Sequence, residues 1–550
     1  MLYDVLIVGT GIAGLRAALE AKKEGVKVAL LTKSNPFRSN SAVASGGINA
    51  ALGNVEEDSV EEHIEDTFKG GARFNNKKAL ATLCGDGIAC IEELDALGVP
   101  FDKRENGTID QRAFGGAGKK RTCHIADKTG SAIVQKLLML CRQEGVEIVT
   151  NMQFLNIITD KNRVAGITAL RRNDSMVVAF ACKALILAGG GYAGIYRGHS
   201  TNPQEVCGDT LAAALRAGMT LRDMEFVQFH PTTLVKTGAL ITEAARGEGG
   251  YLLNSRGQRF VDELITRDKL SREILAEIKT GGAVYLDLRH LGEEKIDAKL
   301  PSVKKTALNA AGIDIATELI PIEPAAHYTG GGVKTKADTR TEIKGIYACG
   351  ENAANGVHGA NRLGGNSLLE GVVFGRIAGK SAAQYALKNE FLPVDYQYVD
   401  KEMRAVEYIL GGENKFNINA MRKSLGEVLF KEAGILRDEP SLMKALDYVH
   451  YLYDQSVGLH CVNKERSLNV ELSSIIEFKN SLLVAEAMIL SALERKESRG
   501  VHYRSDYPAT DDVCCGDHIE VRLHGSHYLE THFAHAKGPV WKKLFKKFNL

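Results

Sequence analysis

The sequence has no excess of charge and no long apolar run. Its 69 Lys and Arg residues balance 68 Asp and Glu residues, which leaves a net charge of +1. Such a balance gives no general attraction to nucleic acid or to an anionic membrane surface. No stretch approaches the roughly 20 apolar residues that a membrane-spanning helix needs, and an apolar segment already begins at residue 3, which leaves no room for a targeting peptide. These absences predict a cytoplasmic protein.

Clustered cysteines are also missing. None of the ten cysteines forms a C-x-x-C motif. The sequence therefore gives no support for a dithiol redox centre, a c-type haem or the usual iron–sulfur spacing. Scattered cysteines of this kind are typical of reduced thiols in the core of a cytosolic protein.

Proline is scarce and glycine is abundant, with 11 and 56 residues respectively. This ratio is typical of tight loops rather than of flexible linkers. Apolar residues make up 44% of the chain and charged residues 25%, which excludes wholesale disorder. At roughly 150 residues per domain, the length of the chain predicts three or four domains.

The N-terminal segment has the pattern of a dinucleotide-binding turn. An apolar run at residues 3–8 leads into G-x-G-x-x-G, and a helical stretch and a second strand at residues 26–31 follow. The glycines permit a tight bend, and the helix N-terminus offers N–H groups and a positive dipole end to a pyrophosphate. An NAD-binding fold usually has Asp or Glu about 20 residues further on, but here Lys33 and Ser34 follow the second strand. This weakens the case for NAD and leaves FAD or a variant of the site.

The rest of the chain indicates an interrupted domain. A later apolar strand runs into three glycines at residues 189–191, and glycine-rich patterning returns near residue 330. We therefore predict an α/β fold whose Rossmann-like FAD-binding domain is interrupted by an α+β capping domain, followed by a helical domain and a short β-containing tail. The predicted bounds are 1–225 and 325–387 for the FAD-binding domain, 226–324 for the capping domain, 388–508 for the helical domain and 509–550 for the tail.

The tail carries two unusual segments. Five of the 15 histidines lie beyond residue 515, in an alternating pattern that fits an exposed hairpin. Cys514 and Cys515 lie just before them, but adjacent cysteines are poor partners in a tetrahedral site, so we predict no metal. Residues 541–548 are basic and amphipathic. Two interpretations of this end remain open, namely docking on a partner or membrane face and simple solvation.

Four short segments combine glycine with cationic or imidazole groups at predicted strand ends. A small dianion with two carboxylates needs hydrogen-bond donors at each end. Cations beside the carboxylates polarise the carbon–carbon bond that lies between the two groups. Each histidine alone would more often be a structural residue, but together the segments favour a dianion site beside a flavin. They are Q-F-H-P-T at 228–232, T-E-A-A-R-G-E-G-G at 242–250, A-H-Y-T-G-G at 326–331 and H-G-A-N-R-L-G-G-N-S-L at 358–368.

These segments resemble those of the flavoprotein subunits of fumarate reductase and succinate dehydrogenase, a family related to L-aspartate oxidase. The resemblance covers about residues 3–508. It implies an FAD-dependent oxidoreductase that transfers hydride between FAD and fumarate or succinate, in the electron transport of anaerobic respiration or in the tricarboxylic acid cycle. Further matching motifs are Ser45-Gly46-Gly47, T-R-D-K at 266–269, Y-L-D-L-R-H-L-G at 285–292 and E-S-R-G-V-H at 497–502.

The resemblance implies that Arg267 is the proton donor, with Glu243 and Arg246 relaying protons from solvent. An arginine is an unusual acid, since its pKa is normally above 12. It can act only toward a very basic carbon, with the proton replaced through the adjacent carboxylate. Taken alone, Arg267 would rather form a surface ion pair with Asp262 or Asp268. The residues implied to bind the substrate are Gly46, His230, Thr242, His327 and Arg362.

For FAD, the resemblance implies contacts from five groups of residues. One group lies at a helix N-terminus that stabilises the anionic charge of reduced flavin, although Ser367 could equally be the N-cap of that helix. The implied contacts are Gly9, Gly11 and Gly14 at the pyrophosphate, Lys33 and Ser34 after the second strand, Ser45, Gly46 and Gly47 beside the isoalloxazine, Asp209 and Glu351 at the ribityl or ribose hydroxyls, and Asn366, Ser367 and Leu368 at the pyrimidine edge.

Two departures from the family pattern narrow the function. Membrane-bound members usually have R-S-H-T, whose histidine forms a covalent bond to FAD, where this chain has Asn40. We therefore predict non-covalent FAD with a lower potential, which favours fumarate reduction. The alternative is L-aspartate oxidase, which makes iminoaspartate for NAD biosynthesis and also lacks that histidine. L-aspartate oxidases have a segment similar to R-E-G-G-H, in which the Glu meets the substrate ammonium group. This chain has Phe114 at the position of that Glu, and an aromatic ring does not compensate the charge of the ammonium group.

Electrons must reach FAD from outside this chain, because it has no haem motif, no clustered cysteines and no second dinucleotide fingerprint. As the resemblance implies, we expect a separate iron–sulfur subunit, with a quinone-reactive membrane anchor as a further partner. Such partners would place the chain peripherally on the cytoplasmic membrane. A self-contained oxidase that reacts with oxygen or free fumarate is one alternative. A non-catalytic flavin-binding assembly subunit is another, and it would require the histidines and arginines to be dispersed in space.

Overall fold

The computed structural model describes residues 1–525 and 528–534. Helices and strands alternate through the first two thirds of the chain, and helices dominate from residue 366 to residue 494. Within the described residues the strands are β1 (Leu2–Val8), β2 (Val28–Leu31), β3 (Ile48–Asn49), β4 (Gln111–Arg112), β5 (Thr122–Cys123), β6 (Glu147–Val149), β7 (Met152–Asp160), β8 (Arg163–Arg171), β9 (Met176–Leu187), β10 (Leu221–Arg222), β11 (Val227–Leu234), β12 (Tyr251–Leu253), β13 (Val284–Asp287), β14 (Ile320–Thr329), β15 (Gly332–Lys334), β16 (Ile346–Ala348), β17 (Ala353–Ala354), β18 (Ile519–His524) and β19 (Tyr528–Phe533). The helices are α1 (Ile12–Lys23), α2 (Asn40–Val43), α3 (Val60–Gly70), α4 (Lys77–Ala96), α5 (Thr129–Gln143), α6 (Asp209–Arg216), α7 (Ala244–Gly247), α8 (Arg267–Lys279), α9 (Glu293–Lys299), α10 (Pro301–Ala311), α11 (Asn366–Leu387), α12 (Gln397–Gly411), α13 (Ile418–Glu432), α14 (Glu439–Ser456) and α15 (Val470–Glu494).

A seven-stranded sheet is the base of the FAD-binding part. Its order is β6-β2-β1-β9-β8-β7, with β16 also paired to β9. The β6-β2-β1-β9 portion and β16 are parallel, whereas β7, β8 and β9 are joined by antiparallel pairing. The parallel strands are apolar along most of their length because both faces of the sheet are covered. The predicted β–turn–α–β unit is thus formed by β1, α1 and β2.

Helix α11 packs directly on α1, and glycines on α11 make the close approach possible. A Cβ atom added to Gly375 would lie 2.6 Å from the carbonyl oxygen of Ala13, and one added to Gly379 would lie 2.2 Å from that of Ala17. Both distances are far below a van der Waals contact. The two helices therefore meet backbone to backbone, which fixes the N-terminal ends of both helices relative to the sheet.

The segment predicted as the capping domain, here called the capping region (residues 226–324), has a core of its own. Its sheet has the order β11-β14-β13-β12 with antiparallel pairing. Apolar residues of this sheet, of α8 and of α10 form a buried cluster separate from the cores beside the large sheet. Asp127, outside the region, accepts hydrogen bonds from the backbone N–H groups of Ser302 and Val303 at 2.7 and 3.0 Å. This contact anchors the first turn of α10.

Helices α12 to α15 pack on the face of the large sheet opposite to α1 and α11, and they share one apolar core with that face. The predicted tail hairpin is present as β18 and β19, which pair antiparallel. β18 also pairs with β10, so the hairpin extends a five-stranded sheet, β17-β15-β10-β18-β19, and is held to the FAD-binding part. His527, His535 and the basic segment 541–548 lie outside the described residues.

The α/β class and the interrupted arrangement are confirmed, while the domain bounds stay predictions. All ten cysteines are free, nine of them buried and Cys514 exposed. Within residues 1–525 and 528–534, no helix combines the length and the apolar character needed to cross a bilayer.

Candidate functional site

A large cleft opens at the carboxyl ends of β1, β2 and β9, where parallel α/β sheets bind their ligands. It encloses about 1500 Å³ of empty space including its open mouth. Its lining includes the predicted residues Gly9, Gly11, Lys33, Ser34, Asp209, Glu351, Ser367 and Leu368, together with Asn40, His327 and Arg362.

The glycine turn after β1 fits the pyrophosphate of a dinucleotide. Gly9 has a φ of +113°, and a Cβ atom there would lie 2.1 Å from the carbonyl oxygen of Ala188. A Cβ atom on Gly14 would lie 2.1 Å from the carbonyl oxygen of Gly9. Only glycine can therefore occupy these positions, and the turn brings backbone and the N-terminus of α1 to the floor of the cleft. These residues fit FAD.

Asn40 lies on the wall of the same cleft, close to Glu351. Its Nδ2 donates to Asn202 Oδ1 at 2.6 Å and lies 3.5 Å from Glu351 Oε2. Its buried Oδ1 accepts no hydrogen bond from the residues that the structure describes. Burial raises the pKa of Glu351 to about 7, against the opposing effect of the Thr329 N–H group. Asn40 thus presents a polar amide, and not an imidazole, to the cleft.

A cluster of buried guanidinium groups adjoins the cleft. Arg267, the first residue of α8, donates through Nε and Nη2 to Glu243 Oε2 at 2.8 and 2.6 Å. Its Nη1 donates to Gln228 Oε1 at 3.2 Å, and Arg362 Nη2 donates to the same oxygen at 3.1 Å. Gln228 therefore links the two arginines, although it was not among the site residues predicted from Q-F-H-P-T.

The surface ion pair considered for Arg267 is wrong. Asp268 pairs instead with Arg272 at 3.2 Å and accepts from Asn361 at 3.0 Å. Asp262 accepts a hydrogen bond from the backbone N–H of Leu264. Arg267 is buried, with 7% of its surface exposed, because its partner Glu243 lies inside the cluster.

Glu243 lies between two arginines. Arg246 Nη2 is 3.8 Å from Glu243 Oε1, and the backbone N–H of Gly115 donates to that oxygen at 2.8 Å. Burial would raise the pKa of Glu243, but the charges of Arg267 and Arg246 outweigh it and hold the pKa below its usual value. Glu243 is therefore ionised and links Arg267 to Arg246, the predicted relay.

His230 and His327 face each other, with ring centroids 5.0 Å apart. Burial, followed by the nearby charge of Arg267, holds the pKa of each histidine well below its usual value. The hydrogen bonds to described residues engage Nδ1 of each ring, with the Thr201 hydroxyl at 2.7 Å from His327 and the Thr232 N–H at 3.2 Å from His230. Both imidazoles are thus neutral at pH 7.

Arg362 lies where the cluster meets the cleft. Its guanidinium carbon is 4.2 Å from the ring centre of Tyr328, and its Nη1 donates to Ser367 Oγ at 2.7 Å. Burial and then Arg267 lower the pKa of Arg362 to about 10, which leaves it charged. The N-cap role for Ser367 is wrong, since Gly365 is the N-cap of α11 and Ser367 is its second residue.

Besides Gly14, four residues predicted to contact FAD lie away from the cleft wall. Asn366 bonds with Asn49, Thr67 and His63 in a buried polar network behind the start of α11. Gly46 accepts two hydrogen bonds from Arg112, at 3.2 and 2.6 Å. Ser45 bonds to the carbonyl oxygen of Val43, and Gly47 has a φ of +134°. The wall itself is formed by the neighbouring Val43 and Ala44.

Phe114 and Thr242 flank the guanidinium cluster. The ring of Phe114 fills the space beside two glycines, since a Cβ atom on Gly46 or on Gly364 would lie 2.4 Å from it. Thr242 is buried, and its hydroxyl is 3.4 Å from the backbone N–H of Ala244.

The contacts between the two imidazole rings and through Gln228 gather the predicted histidines and arginines in one place. This excludes the dispersed arrangement that a non-catalytic subunit would require.

A dinucleotide cleft that opens onto buried guanidinium and imidazole groups defines the class of protein, an FAD-dependent oxidoreductase. Residues 4–368 match the family of FAD binding domains, and residues 422–538 match that of the fumarate reductase flavoprotein C-terminus.

Individual relatives agree with these matches. The 8-methylmenaquinol:fumarate reductase flavoprotein subunit of Wolinella succinogenes is 38% identical over 541 residues, which span 94% of this chain and 88% of that protein. The succinate dehydrogenase flavoprotein subunit of Rickettsia bellii is 35% identical over 543 residues, 93% of this chain and 91% of that protein. A solved quinol–fumarate reductase with menaquinol molecules superimposes with a TM-score of 0.92 at 34% identity, covering 97% of this chain and 98% of the other. The chain belongs to the fumarate reductase/succinate dehydrogenase flavoprotein subunit family, and the resemblance drawn from its motifs is confirmed.

Proposed function

We propose that this chain is the flavoprotein subunit of a fumarate reductase, with hydride transfer between FAD and the four-carbon dicarboxylate at the guanidinium cluster. The observation that carries the proposal is the linkage of Arg267 and Arg362 through Gln228 Oε1, beside the facing rings of His230 and His327. A dianion needs donors at both ends. This cluster offers two guanidinium groups and two neutral imidazoles within one water-poor space.

The chemistry follows from the charges of these side chains. FAD, when bound, supplies the hydride to one alkene carbon of fumarate. Arg362, His230, His327 and Thr242 hold the substrate carboxylates, and polarise the double bond between them. Arg267 donates a proton to the neighbouring carbon, so that the double bond becomes a single bond and succinate forms. Glu243, 2.6 Å from Arg267, returns a proton that reaches it from solvent past Arg246.

FAD is held without a covalent bond in this proposal, because Asn40 occupies the cleft wall where a linking histidine would lie. The test is acid precipitation of the FAD-loaded chain. The yellow colour and the flavin absorbance are expected in the supernatant. Flavin that stays with the precipitated polypeptide contradicts the proposal.

Electrons are proposed to arrive through a separate iron–sulfur subunit, with a quinone-reactive membrane anchor and a peripheral place on the cytoplasmic membrane. The support is the dispersal of the ten cysteines, nine of them buried in the core. Among the described residues, no group of cysteines lies close enough together to hold an electron-transfer cluster. The relative from Wolinella succinogenes is named for a menaquinol donor, which is the type of donor proposed here.

The decisive experiment compares three substrates on one FAD-loaded preparation. With reduced viologen as donor, rapid consumption of fumarate is expected, with slower oxidation of succinate when an artificial acceptor is supplied. L-aspartate with oxygen is expected to give no iminoaspartate and no peroxide, because Phe114 offers no carboxylate to the substrate ammonium group. Peroxide from L-aspartate without fumarate turnover would assign the chain to L-aspartate oxidation instead.

A further inference from the structure

A second group of buried charges lies beside the cleft and shares no residue with the guanidinium cluster. Lys33 follows β2, and its Nζ is 2.8 Å from Asp209 Oδ2 and 2.8 Å from Glu477 Oε1. Lys33 and Asp209 line the cleft, whereas Glu477 does not. Glu477 is on α15, so the network joins the helical part of the chain to the wall of the FAD site.

Each member of the network is held on two sides. Glu477 Oε2 is 3.3 Å from Arg422 Nη2 on α13, and Arg422 also donates to the carbonyl oxygen of Gln204. Asp209 Oδ1 accepts from Asn480 Nδ2 at 2.8 Å, one turn after Glu477 on α15. Buried charges are tolerated when they are paired and hydrogen-bonded in this way. The carboxylate of Asp209 is thus oriented by Lys33, which follows β2, and by Asn480 on α15.

The charge states follow from this pairing. Burial would lower the pKa of Lys33, but Asp209 and Glu477 outweigh it and hold the pKa well above its usual value. Burial would likewise raise the pKa of Asp209, but Lys33 outweighs it and lowers the pKa. Lys33 is therefore a fixed cation and Asp209 a fixed anion beside the cleft.

A bound metal ion is not required to explain the cluster. Ligand atoms of Cys207, Asp209 and Glu477 lie within 4.8 Å of one another. The ammonium group of Lys33 already lies between the two carboxylates, at hydrogen-bond distance from both. It occupies the place that a metal ion would take.

We propose that Glu477 is a positioning residue for FAD, acting through Lys33 and Asp209. A dinucleotide fold commonly has an acidic residue after the second strand to bind ribose hydroxyls, but this chain has Lys33 there. Asp209 supplies the missing carboxylate from α6, and Glu477 holds Lys33 so that it neither swings into the cleft nor withdraws from Asp209. Helix α15 is thereby part of the cofactor site. The inference rests on the FAD site and is independent of which substrate is reduced.

The test measures FAD binding to apoprotein by flavin fluorescence, without any substrate. Glu477→Gln keeps the shape of the side chain and removes the carboxylate that contacts Lys33 and Arg422. Loss of a hydrogen bond to a charged group predicts FAD binding weaker by about tenfold to hundredfold. The matched control is Glu486→Gln on the same helix, where the buried carboxylate faces His450 on α14. Its FAD affinity is expected to equal that of the native chain.

A double-mutant cycle separates positioning from general loss of structure. If Glu477 acts through Lys33, the losses caused by Lys33→Met and Glu477→Gln will not multiply in the double variant. Glu477→Asp, which keeps the charge, is expected to restore most of the affinity and also serves if Glu477→Gln does not fold. Native FAD affinity in Glu477→Gln, independent effects in the cycle, or no recovery in Glu477→Asp would each overturn the proposal. None of these outcomes depends on fumarate turnover.

Discussion

In the guanidinium cluster, buried side chains of opposite charge neutralise one another out of contact with water. Glu243 is 1% exposed and stays ionised because Arg267 and Arg246 lie on two sides of it. In the proposed mechanism, the same contact gives Arg267 a carboxylate that can return its proton. Removing one partner of such a buried pair leaves the other charge uncompensated.

Arg267→Ala is expected to lower fumarate turnover at least about 10³-fold, since it removes both the proton donor and a positive charge beside the substrate. FAD should remain bound, because Arg267 is not on the wall of the FAD cleft. The measurement is viologen-coupled turnover alongside the flavin absorbance spectrum. Arg272→Ala, on the same helix and paired with Asp268, is the control and should retain native turnover. Substantial activity in Arg267→Ala would remove Arg267 from the mechanism.

His63 on α3 provides a pH test of the buried polar network behind α11. Its Nε2 lies 3.0 Å from Asn366 Oδ1. Burial, aided by Arg121, lowers the pKa of His63 from 6.5 to about 4. Because the folded chain takes up this proton less readily than the unfolded chain, the stabilisation is complete above pH 6.5 and is lost as the pH falls toward 4. The loss from this group is about 3 kcal/mol.

His63→Gln keeps a donor for Asn366 and removes the titration. The decrease in free energy of unfolding between pH 6.5 and pH 4 should then be about 3 kcal/mol smaller than in the native chain. Denaturant titrations of both proteins at several pH values measure this difference. His450→Gln is the control, because a hydrogen bond to Glu486 raises the pKa of His450, and its contribution is lost only above pH 6.5. Equal pH profiles for His63→Gln and the native chain would contradict the assignment.

The sequence predicted charged residues of the site better than their partners. Arg267, Arg362, His230 and His327 stand in long motif strings, so their roles could be proposed before any contact was known. Gln228 was missed, because a neutral amide in a buried strand gives no signal until two guanidinium groups are seen on its oxygen. The partnership of Lys33 with Glu477 was missed because these residues are 444 positions apart in the sequence.

At the scale of elements, local patterns predicted β1 and β2 to within about two residues of their observed bounds, with a helix between them. The G-x-G-x-x-G turn couples residues close in sequence, so its geometry can be read from its glycines. The pairing of β18 with β10 could not be predicted in that way. It joins segments almost 300 residues apart, and β10 is only two residues long.

The packing of α11 on α1 can be tested with two glycines. Gly379→Ala would place a Cβ atom 2.2 Å from the carbonyl oxygen of Ala17, so the helices must separate. Overpacking of this kind costs about 1–3 kcal/mol. Gly85→Ala, within α4 and with no neighbour within 4 Å, should instead stabilise the chain by up to about 1 kcal/mol. Thermal and denaturant unfolding of the two variants measure the contrast, and equal stability would contradict the backbone contact.

At the scale of the whole molecule, the guanidinium cluster is assembled from two separate units. Arg267, Glu243 and His230 belong to the capping region, whereas Arg362 follows it in the FAD-binding part. The contacts between the two units include a hydrogen bond from the Gly116 N–H to the carbonyl oxygen of Leu264 at 2.9 Å. Substrate geometry therefore depends on how firmly the capping region is held.

Asp127 is the contact through which this dependence can be measured. It is 1% exposed, and one carboxylate oxygen accepts two backbone N–H groups of the first turn of α10. An anion at this position stabilises the helix N-terminus as well as the junction. Asp127→Ala should therefore loosen the capping region without changing a residue that touches substrate. We expect a raised KM for fumarate and a kcat lowered by about tenfold.

Steady-state kinetics and hydrogen exchange along residues 301–311 together check this expectation. Faster exchange at the start of α10 with unchanged FAD binding would show that the junction, and not the cofactor site, is affected. Asp297→Ala is the control, because Asp297 pairs with Lys304 inside the capping region and is half-exposed. Native kinetics in Asp127→Ala, despite faster exchange, would mean that the guanidinium cluster keeps its geometry without this anchor. The position of the capping region would then be fixed by its other contacts, such as those of Glu243 with Gly115 and of Leu264 with Gly116.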